Sequence, residues 1–346
     1  MKPSLDDLKR ITEKMLAEES SYLDLRNACG SLLDFFYQVL EFDDTDPVNG
    51  QHMQSQAGQA VSPEAAAVCI RDFMRTCVFL RGIKEAISTK LQSNPDMAVT
   101  VLYAGTGPFA TLLIPLVTLF SPAQLNMLLL DINPASIAYL SRIIRNFNLE
   151  PYILQVVETD AVTYRIPVQW KPDIILSETM MPSLKTEPQV SIVANLVGQC
   201  PQVLLVPEMI EVSAVLYNNK QTAGKRFINL ETLLVFTKEA ALKMAAEQQT
   251  GDTVFPVTIL EVQKPAEPGY SRLALLTRIR VFNEHFLNYS ESSLTIPVFV
   301  YNMHSIKTWP AVLNIQYRIF PIPGFTISKD GLTLFEVKKK EIPIIN

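Results

Sequence analysis

Apolar side chains recur at helical spacing through the N-terminal part of the chain. Leu5, Leu8 and Ile11 form one series, and Leu23 opens a second that continues to Leu40. Residues three and four positions apart share one face of a helix, so the polar residues between them fall on the other face. The pattern therefore predicts an N-terminal pair of amphipathic helices.

A polar connection and a helix start follow this pair. The segment Asp43–Val61 is rich in Asp, Pro, Gly and Gln, and it predicts a mobile connection. Ser62, Pro63 and Glu64 then supply the residue types of an N-cap, a first-turn proline and a first-turn acid. They predict a long helix that runs to about Leu91.

The middle third of the chain alternates short β-branched runs with helical stretches. Such alternation is typical of a parallel sheet that is covered by helices on both faces. The first strand leads into a predicted helix at Ala110–Phe120. The five predicted strands are Val99–Tyr103, Gln124–Leu130, Ile153–Val157, Asp173–Leu176 and Val203–Val206.

The pattern changes after Pro207. β-rich runs with one predicted helix, Lys238–Gln248, indicate a separate antiparallel barrel or sandwich. We therefore predict an α/β protein with a helical segment at 1–60, a doubly wound domain at 61–207 and a β-rich domain at 208–346. The predicted strands of the last part are Ile210–Tyr217, Leu273–Phe282, Leu294–Tyr301, Ala311–Ile319 and Thr333–Val337.

Composition narrows the classes of function. With 346 residues, 48% of them hydrophobic and 19% charged, the chain has the composition of a globular protein and not of a disordered one. Its net charge of −5 and its lack of clustered Lys and Arg argue against contacts with nucleic-acid phosphates. We expect no nucleic-acid partner.

The cysteines and the apolar stretches bear on the compartment. Four cysteines stand at spacings that fit neither a disulfide framework nor a metal site, so we predict buried thiols. The segment 1–16 lacks the apolar core of a secretory leader, and Pro108 interrupts the most apolar stretch, Val99–Phe120. We therefore expect a cytoplasmic protein with no membrane span and no bound metal.

Glycines mark the turn after the first predicted strand, which is where ligands bind in a doubly wound sheet. Gly105, Thr106 and Gly107 stand in this turn, and glycine lets the backbone approach a ligand closely. Taken alone, the pattern is equally that of an ordinary tight turn.

Two acids follow the next two predicted strands. Asp131 ends the second strand, where a carboxylate can accept hydrogen bonds from both ribose hydroxyls, and a helix N-cap is its alternative role. Asp160 follows the third strand, where it can accept from an amine such as that of adenine or be a solvated turn acid. The turn and the two acids resemble class I S-adenosylmethionine methyltransferases, which are Rossmann-like. Nicotinamide enzymes share the first two features, but Ala110 replaces their third glycine.

The fourth predicted strand leads into the most informative loop of the chain. The loop opens with Ser177-Glu178-Thr179-Met180 and holds a second acid, Glu187. It resembles the double-glutamate loop of the protein arginine methyltransferases. The resemblance implies that Glu178 and Glu187 hold a planar guanidinium while one of its nitrogens meets the methyl group of S-adenosylmethionine.

A second match lies upstream. Asp72-Phe73-Met74-Arg75-Thr76 resembles the Asp-x-x-Arg-Thr element of the same family, which implies that Arg75 binds the carboxylate of the cofactor. The β-rich C-terminal part agrees with the family's order of a cofactor domain followed by a barrel. Members of the family often dimerise, so the resemblance also implies a homodimer.

The chain departs from the family in three places. Tyr103 replaces the acid that commonly ends the first strand, and Thr179 replaces the tryptophan after the first loop glutamate. The nearest counterpart of the family's Thr-His-Trp motif is Thr308-Trp309, without the histidine. The missing histidine removes a partner for Asp72.

These patterns leave three functions open. The preferred hypothesis is N-methylation of a guanidino group on free arginine, a related small metabolite or peptidyl arginine. One alternative is an O- or N-methyltransferase that acts on another small molecule. The other is a non-catalytic module that binds S-adenosylmethionine and a partner protein, in which Glu178 caps a turn and Glu187 is solvated.

Overall fold

The computed structural model describes residues 3–222, 225–248, 255–267 and 269–337. The N-terminal helices begin at serine N-caps, because the side chains of Ser4 and Ser21 accept hydrogen bonds from the third backbone N–H of each helix. Within the described ranges the helices are α1 Leu5–Leu16, α2 Tyr22–Leu40, α3 Pro63–Val68, α4 Phe73–Ser93, α5 Pro134–Asn146, α6 Gln189–Gln199 and α7 Lys238–Gln248.

The single long helix predicted from Ser62 to about Leu91 is wrong. Ser62 caps α3 as expected, but the chain passes through a 3₁₀ turn, and Asp72 caps a second helix. The Asp72 backbone is non-helical, and its side chain accepts a hydrogen bond from Arg75 N. A short acidic side chain can satisfy the free N–H groups of a new helix, so it ends one helix and starts the next.

The middle third forms a parallel five-stranded sheet in the order β5-β4-β3-β6-β7. Strands β3 and β4 are buried along most of their length, which agrees with their continuous apolar runs. Because β3, β4 and β6 are parallel, their carboxyl ends meet at one edge of the sheet. The strands are β3 Val99–Ala104, β4 Leu125–Asp131, β5 Ile153–Glu158, β6 Ile174–Ser177 and β7 Leu204–Val206.

The helix predicted at Ala110–Phe120 is also wrong. Only a 3₁₀ helix forms there, at Ile114–Thr118. Ala110 adopts a φ of +43°, which lies outside the helical region. Pro115 has no backbone N–H for a helical hydrogen bond to an earlier carbonyl, so the buried apolar run packs as irregular turns.

The C-terminal part forms two antiparallel sheets. The first has the order β12-β11-β8-β9, with β13 paired to β11, and the second has the order β10-β14-β15-β16. The predicted strand Leu294–Tyr301 starts as a 3₁₀ turn at Ser293–Thr295 and becomes extended only later. The strands are β8 Met209–Tyr217, β9 Phe227–Thr237, β10 Thr258–Val262, β11 Arg272–Phe282, β12 His285–Leu287, β13 Val298–Asn302, β14 Ala311–Arg318, β15 Gly324–Lys329 and β16 Leu332–Glu336.

The predicted connection Asp43–Val61 contains a hairpin of β1 Met53–Ser55 and β2 Gly58–Ala60. Gln59 N in this hairpin donates a hydrogen bond of 2.9 Å to the carbonyl oxygen of Thr186. The hairpin therefore contacts the loop that carries the two glutamates.

The cysteines only partly match the prediction of buried thiols. Cys29 and Cys77 are buried with their Sγ atoms 3.7 Å apart, whereas Cys69 and Cys200 are partly exposed. All four are free thiols. In the part of the chain that the structure describes, no helix is long and apolar enough to cross a membrane.

Candidate active site

The glycine turn at the end of β3 opens the site. Gly105 and Gly107 have φ values of +78° and +59°, which glycine adopts without steric cost. A Cβ atom on Gly105 would lie only 2.2 Å from Cγ2 of Thr179 in the glutamate loop. The turn therefore needs glycine for its backbone conformation and for its close approach to a neighbouring loop.

Asp131 lies at the end of β4 and fixes this turn. Its Oδ2 accepts a hydrogen bond of 2.7 Å from Gly107 N, and its Oδ1 accepts one of 2.8 Å from Asn133 N. Burial raises the pKa of Asp131 to about 6 in spite of these hydrogen bonds. The cap of α5 is Asn133 and not Asp131, since Asn133 Oδ1 accepts from Ala135 N. The alternative role predicted for Asp131 is therefore wrong.

Asp160 lines the same cavity and holds the β1–β2 hairpin. Its Oδ2 accepts hydrogen bonds of 2.9 Å from Ser55 Oγ and from Gln56 N, while its Oδ1 accepts one of 3.0 Å from Val162 N. The alternative of a solvated turn acid does not fit these three contacts. An adenine contact at Asp160 stays a prediction.

Arg75 projects from the first turn of α4 and pairs with Glu178. The two side chains are 14% and 2% exposed, respectively. Arg75 Nε is buried, and no described residue accepts a hydrogen bond from it. A buried guanidinium with a free N–H can still bind an anionic group of a ligand.

The two loop glutamates reach the same cavity, and both are buried. Among the described residues, none donates a hydrogen bond or forms an ion pair to the Glu187 carboxylate. Burial raises the pKa of Glu187 to about 7, and the nearby charge of Arg75 lowers it by a smaller amount. A buried carboxylate without a partner is the natural counter-charge for a cationic ligand.

The pKa of Glu187 leads to a stability prediction. Its value is raised from the ordinary 4.5, so between pH 4.5 and 7 the folded chain keeps a proton that the unfolded chain releases. Stability from this group is complete below pH 4.5 and falls as pH rises to 7, by up to about 3 kcal/mol. We expect the Tm of the native protein to fall across this range relative to that of Glu187→Gln. Parallel curves in scanning calorimetry would contradict the assignment.

Gln189, in the first turn of α6, organises the glutamate loop, and the sequence analysis missed it. Its Oε1 accepts hydrogen bonds of 2.9 Å from Thr179 N and 2.8 Å from Thr179 Oγ1. Its Nε2 donates one of 2.9 Å to the Ser177 carbonyl oxygen. Gln189 thus ties together the residues on both sides of Glu178, and no sequence motif marks it.

Gln189→Met should therefore reduce turnover without unfolding the protein. It leaves Thr179 N without its acceptor at a partly buried position and loosens Glu178, so we expect kcat to fall roughly tenfold. Gln199→Met is the matched control, because Gln199 on the same helix also makes several hydrogen bonds but contacts a different loop. Steady-state kinetics that show equal losses in both variants would rule out a positioning role.

Asp72 connects helix α4 to the β-rich part. Its Oδ2 accepts hydrogen bonds of 2.8 Å from Ser292 Oγ, 2.6 Å from Ser293 N and 2.6 Å from Ser293 Oγ. Ser292 and Ser293 therefore supply Asp72 with hydrogen-bond partners in the absence of the histidine. Thr308 and Trp309 are not among the residues that line the cavity.

The cavity has a volume of about 900 Å³ and unites the predicted residues. This volume is near the top of the range of about 300–1,000 Å³ that is usual for ligand sites. His52 lines it as well, and its Nδ1 accepts a hydrogen bond from Ser62 N. All eight predicted site residues line the cavity, namely Arg75, Gly105, Thr106, Gly107, Asp131, Asp160, Glu178 and Glu187.

Comparison with solved structures identifies the architecture. Trypanosoma brucei PRMT1, in an enzyme–prozyme heterotetrameric complex with AdoHcy, superposes with a TM-score of 0.52 and 13% identity. The match covers 78% of this chain and 92% of that one. The chain has the fold of the protein arginine methyltransferases. Arabidopsis thaliana protein arginine methyltransferase 10, in an open conformation, gives a TM-score of 0.51 at 11% identity, with 78% and 94% covered.

Only the structural comparison shows this arginine methyltransferase fold. No protein-family model and no curated protein matches the chain in sequence. No group of three or more His, Cys, Asp or Glu side chains that could hold a metal occurs among the described residues.

Proposed function

We propose that the protein is an S-adenosylmethionine-dependent methyltransferase that methylates a guanidino nitrogen. The observation that carries the proposal is the meeting of Arg75, Glu178 and Glu187 with the glycine turn in one cavity. In an arginine methyltransferase fold, these groups match a zwitterionic cofactor on one side and a cationic acceptor on the other. The domain at 61–207 then binds the cofactor, and the domain at 208–346 contributes to the acceptor site.

The residues of the glycine turn fit the proposed cofactor. The space beside Gly105 admits no side chain, and Asp131 holds the turn while it faces the cavity. Arg75 Nε is a buried donor that a carboxylate of the cofactor can use. When bound, S-adenosylmethionine supplies a methyl group on a sulfonium centre.

The two glutamates fit the proposed acceptor. Glu178 is already held by Arg75, so its carboxylate has a fixed position, and Glu187 supplies a second acceptor for guanidinium N–H groups. The pair orients the acceptor nitrogen and stabilises its positive charge. Methylation would exchange one proton of that nitrogen for the methyl group released by the sulfonium sulfur, and Glu187 is suited to take this proton because its pKa is near 7.

Binding and turnover measurements test this proposal in sequence. We expect calorimetric titration with S-adenosylhomocysteine to show micromolar affinity. Labelled S-adenosylmethionine should then transfer its methyl group to arginine, agmatine or arginine peptides, and not to their citrulline counterparts. Absence of binding would reopen the nicotinamide interpretation. Binding without transfer to any acceptor would favour a non-catalytic module.

A further inference from the structure

We propose that the acceptor carries an apolar group beside its guanidinoalkyl chain, which contacts a wall formed by residues 292–299. This proposal rests on the proposed guanidine methylation and defines the acceptor class further. The wall comprises the 3₁₀ turn Ser293–Thr295 and the start of β13. We call it the apolar wall.

The apolar wall lies on the glutamate side of the cavity. Its first residues donate three hydrogen bonds to Asp72, which caps the helix that presents Arg75, and Arg75 pairs with Glu178. A second connection joins the glutamate loop to β11, the strand that pairs with β13. Ser183 N in this loop donates a hydrogen bond of 2.8 Å to Thr277 Oγ1 in β11. An acceptor held by the glutamates therefore extends along this wall.

The chemistry of the wall is almost entirely apolar. The charged and imidazole side chains of the cavity come from residues before Pro188, and the described β-rich part contributes a single polar residue, Ser293. The other cavity-lining residues of that part are Leu294, Ile296, Pro297, Val298, Phe299, Phe335 and Val337. No described carboxylate of this wall is available to bind basic residues beside an acceptor arginine.

Two large apolar side chains of the wall are exposed. Ile296 is 49% exposed and Phe299 is 39% exposed, although both line the site. The Phe299 ring is held in place, with the Arg272 guanidinium 4.0 Å from its centroid and the Tyr217 ring edge-on at 5.1 Å. When an apolar group of a ligand covers an ordered apolar surface of a cavity, both leave water, and the free energy of the complex falls.

A matched pair of acceptors tests the proposal. N-benzoylarginine amide and N-acetylarginine amide differ only in an apolar ring. We expect kcat/KM to favour the benzoyl compound by roughly tenfold, as when about 60 Å² of apolar surface leaves water. Ile296→Ser and Phe299→Ser should reduce this preference to within about twofold.

A control variant and a citrulline compound separate this proposal from the proposed guanidine methylation on which it rests. Ile259→Ser removes an isoleucine that is 71% exposed and does not line the cavity, so it should keep the full preference. Equal turnover of the two arginine amides would overturn the apolar wall but leave guanidine methylation standing. Binding of N-benzoylcitrulline amide as tight as that of the arginine compound would overturn guanidine recognition and this proposal with it.

The Ile296→Ser and Phe299→Ser variants could instead change the oligomeric state and leave the acceptor preference unchanged. That result would assign the wall to an interface between copies of the chain and overturn the proposal. Size-exclusion chromatography with light scattering on each variant, run beside the kinetic assay, measures this directly.

Discussion

Glu187→Gln is expected to reduce kcat by about a hundredfold or more while S-adenosylhomocysteine still binds with nearly native affinity. The substitution keeps the shape of the side chain but removes the negative charge that holds the acceptor and the group that takes its proton. Glu187 has no ion-pair partner among the described residues, so its loss leaves no protein cation exposed. The protein should fold, and its unfolding temperature above pH 7 should rise.

Glu178→Gln is the companion variant and should behave differently. It also lowers kcat strongly, but it breaks the buried ion pair with Arg75 and should therefore weaken cofactor binding too. Steady-state kinetics with calorimetry on both variants distinguish the two roles. If turnover is unchanged in both, guanidine recognition by the paired glutamates is refuted.

Gly105→Ala is expected to weaken the binding of S-adenosylhomocysteine more than a hundredfold. Its new Cβ would meet Thr179 Cγ2 at 2.2 Å, so either the glycine turn or the glutamate loop must move. The positive φ adds a backbone cost of about 1 kcal/mol. Both effects act on the surface that the cofactor is expected to contact.

Gly331→Ala provides the matched control for this substitution. Gly331 has almost the same φ, +79°, but a Cβ there would have no neighbour within 4 Å, and the residue does not line the cavity. Gly331→Ala should lose only the backbone contribution of about 1 kcal/mol and keep the native affinity for S-adenosylhomocysteine. Equal affinity in the two variants, measured by calorimetry, would show that the glycine turn is not part of the cofactor site.

The parallel sheet was predictable because its strands are short apolar runs that are separated by turn residues. The site residues at the ends of those strands followed from the same pattern, since carboxyl ends of parallel strands meet at one edge. Ala110 illustrates the limit, because nothing in the local sequence indicates that its backbone would take a positive φ and end a helix.

The contacts that hold the glutamate loop were not predictable in this way. Gln189 acts through hydrogen bonds to residues ten or more positions away, and many buried glutamines in a helix have no such role. Ser292 and Ser293 meet Asp72 across more than half of the chain, and serine pairs occur in many turns. Such contacts depend on tertiary packing and not on local pattern.

The serine contacts of Asp72 also bear on how the reaction rate of the protein is expected to depend on pH. An imidazole at this junction would gain or lose a proton near neutral pH and add its own inflection to a rate profile. Hydroxyl and backbone N–H donors carry no titratable proton in that range, so the serines add no inflection of their own. Asp131 and Glu187, whose pKa values burial raises to about 6 and about 7, are two carboxylates of the cavity that can contribute inflections in this range.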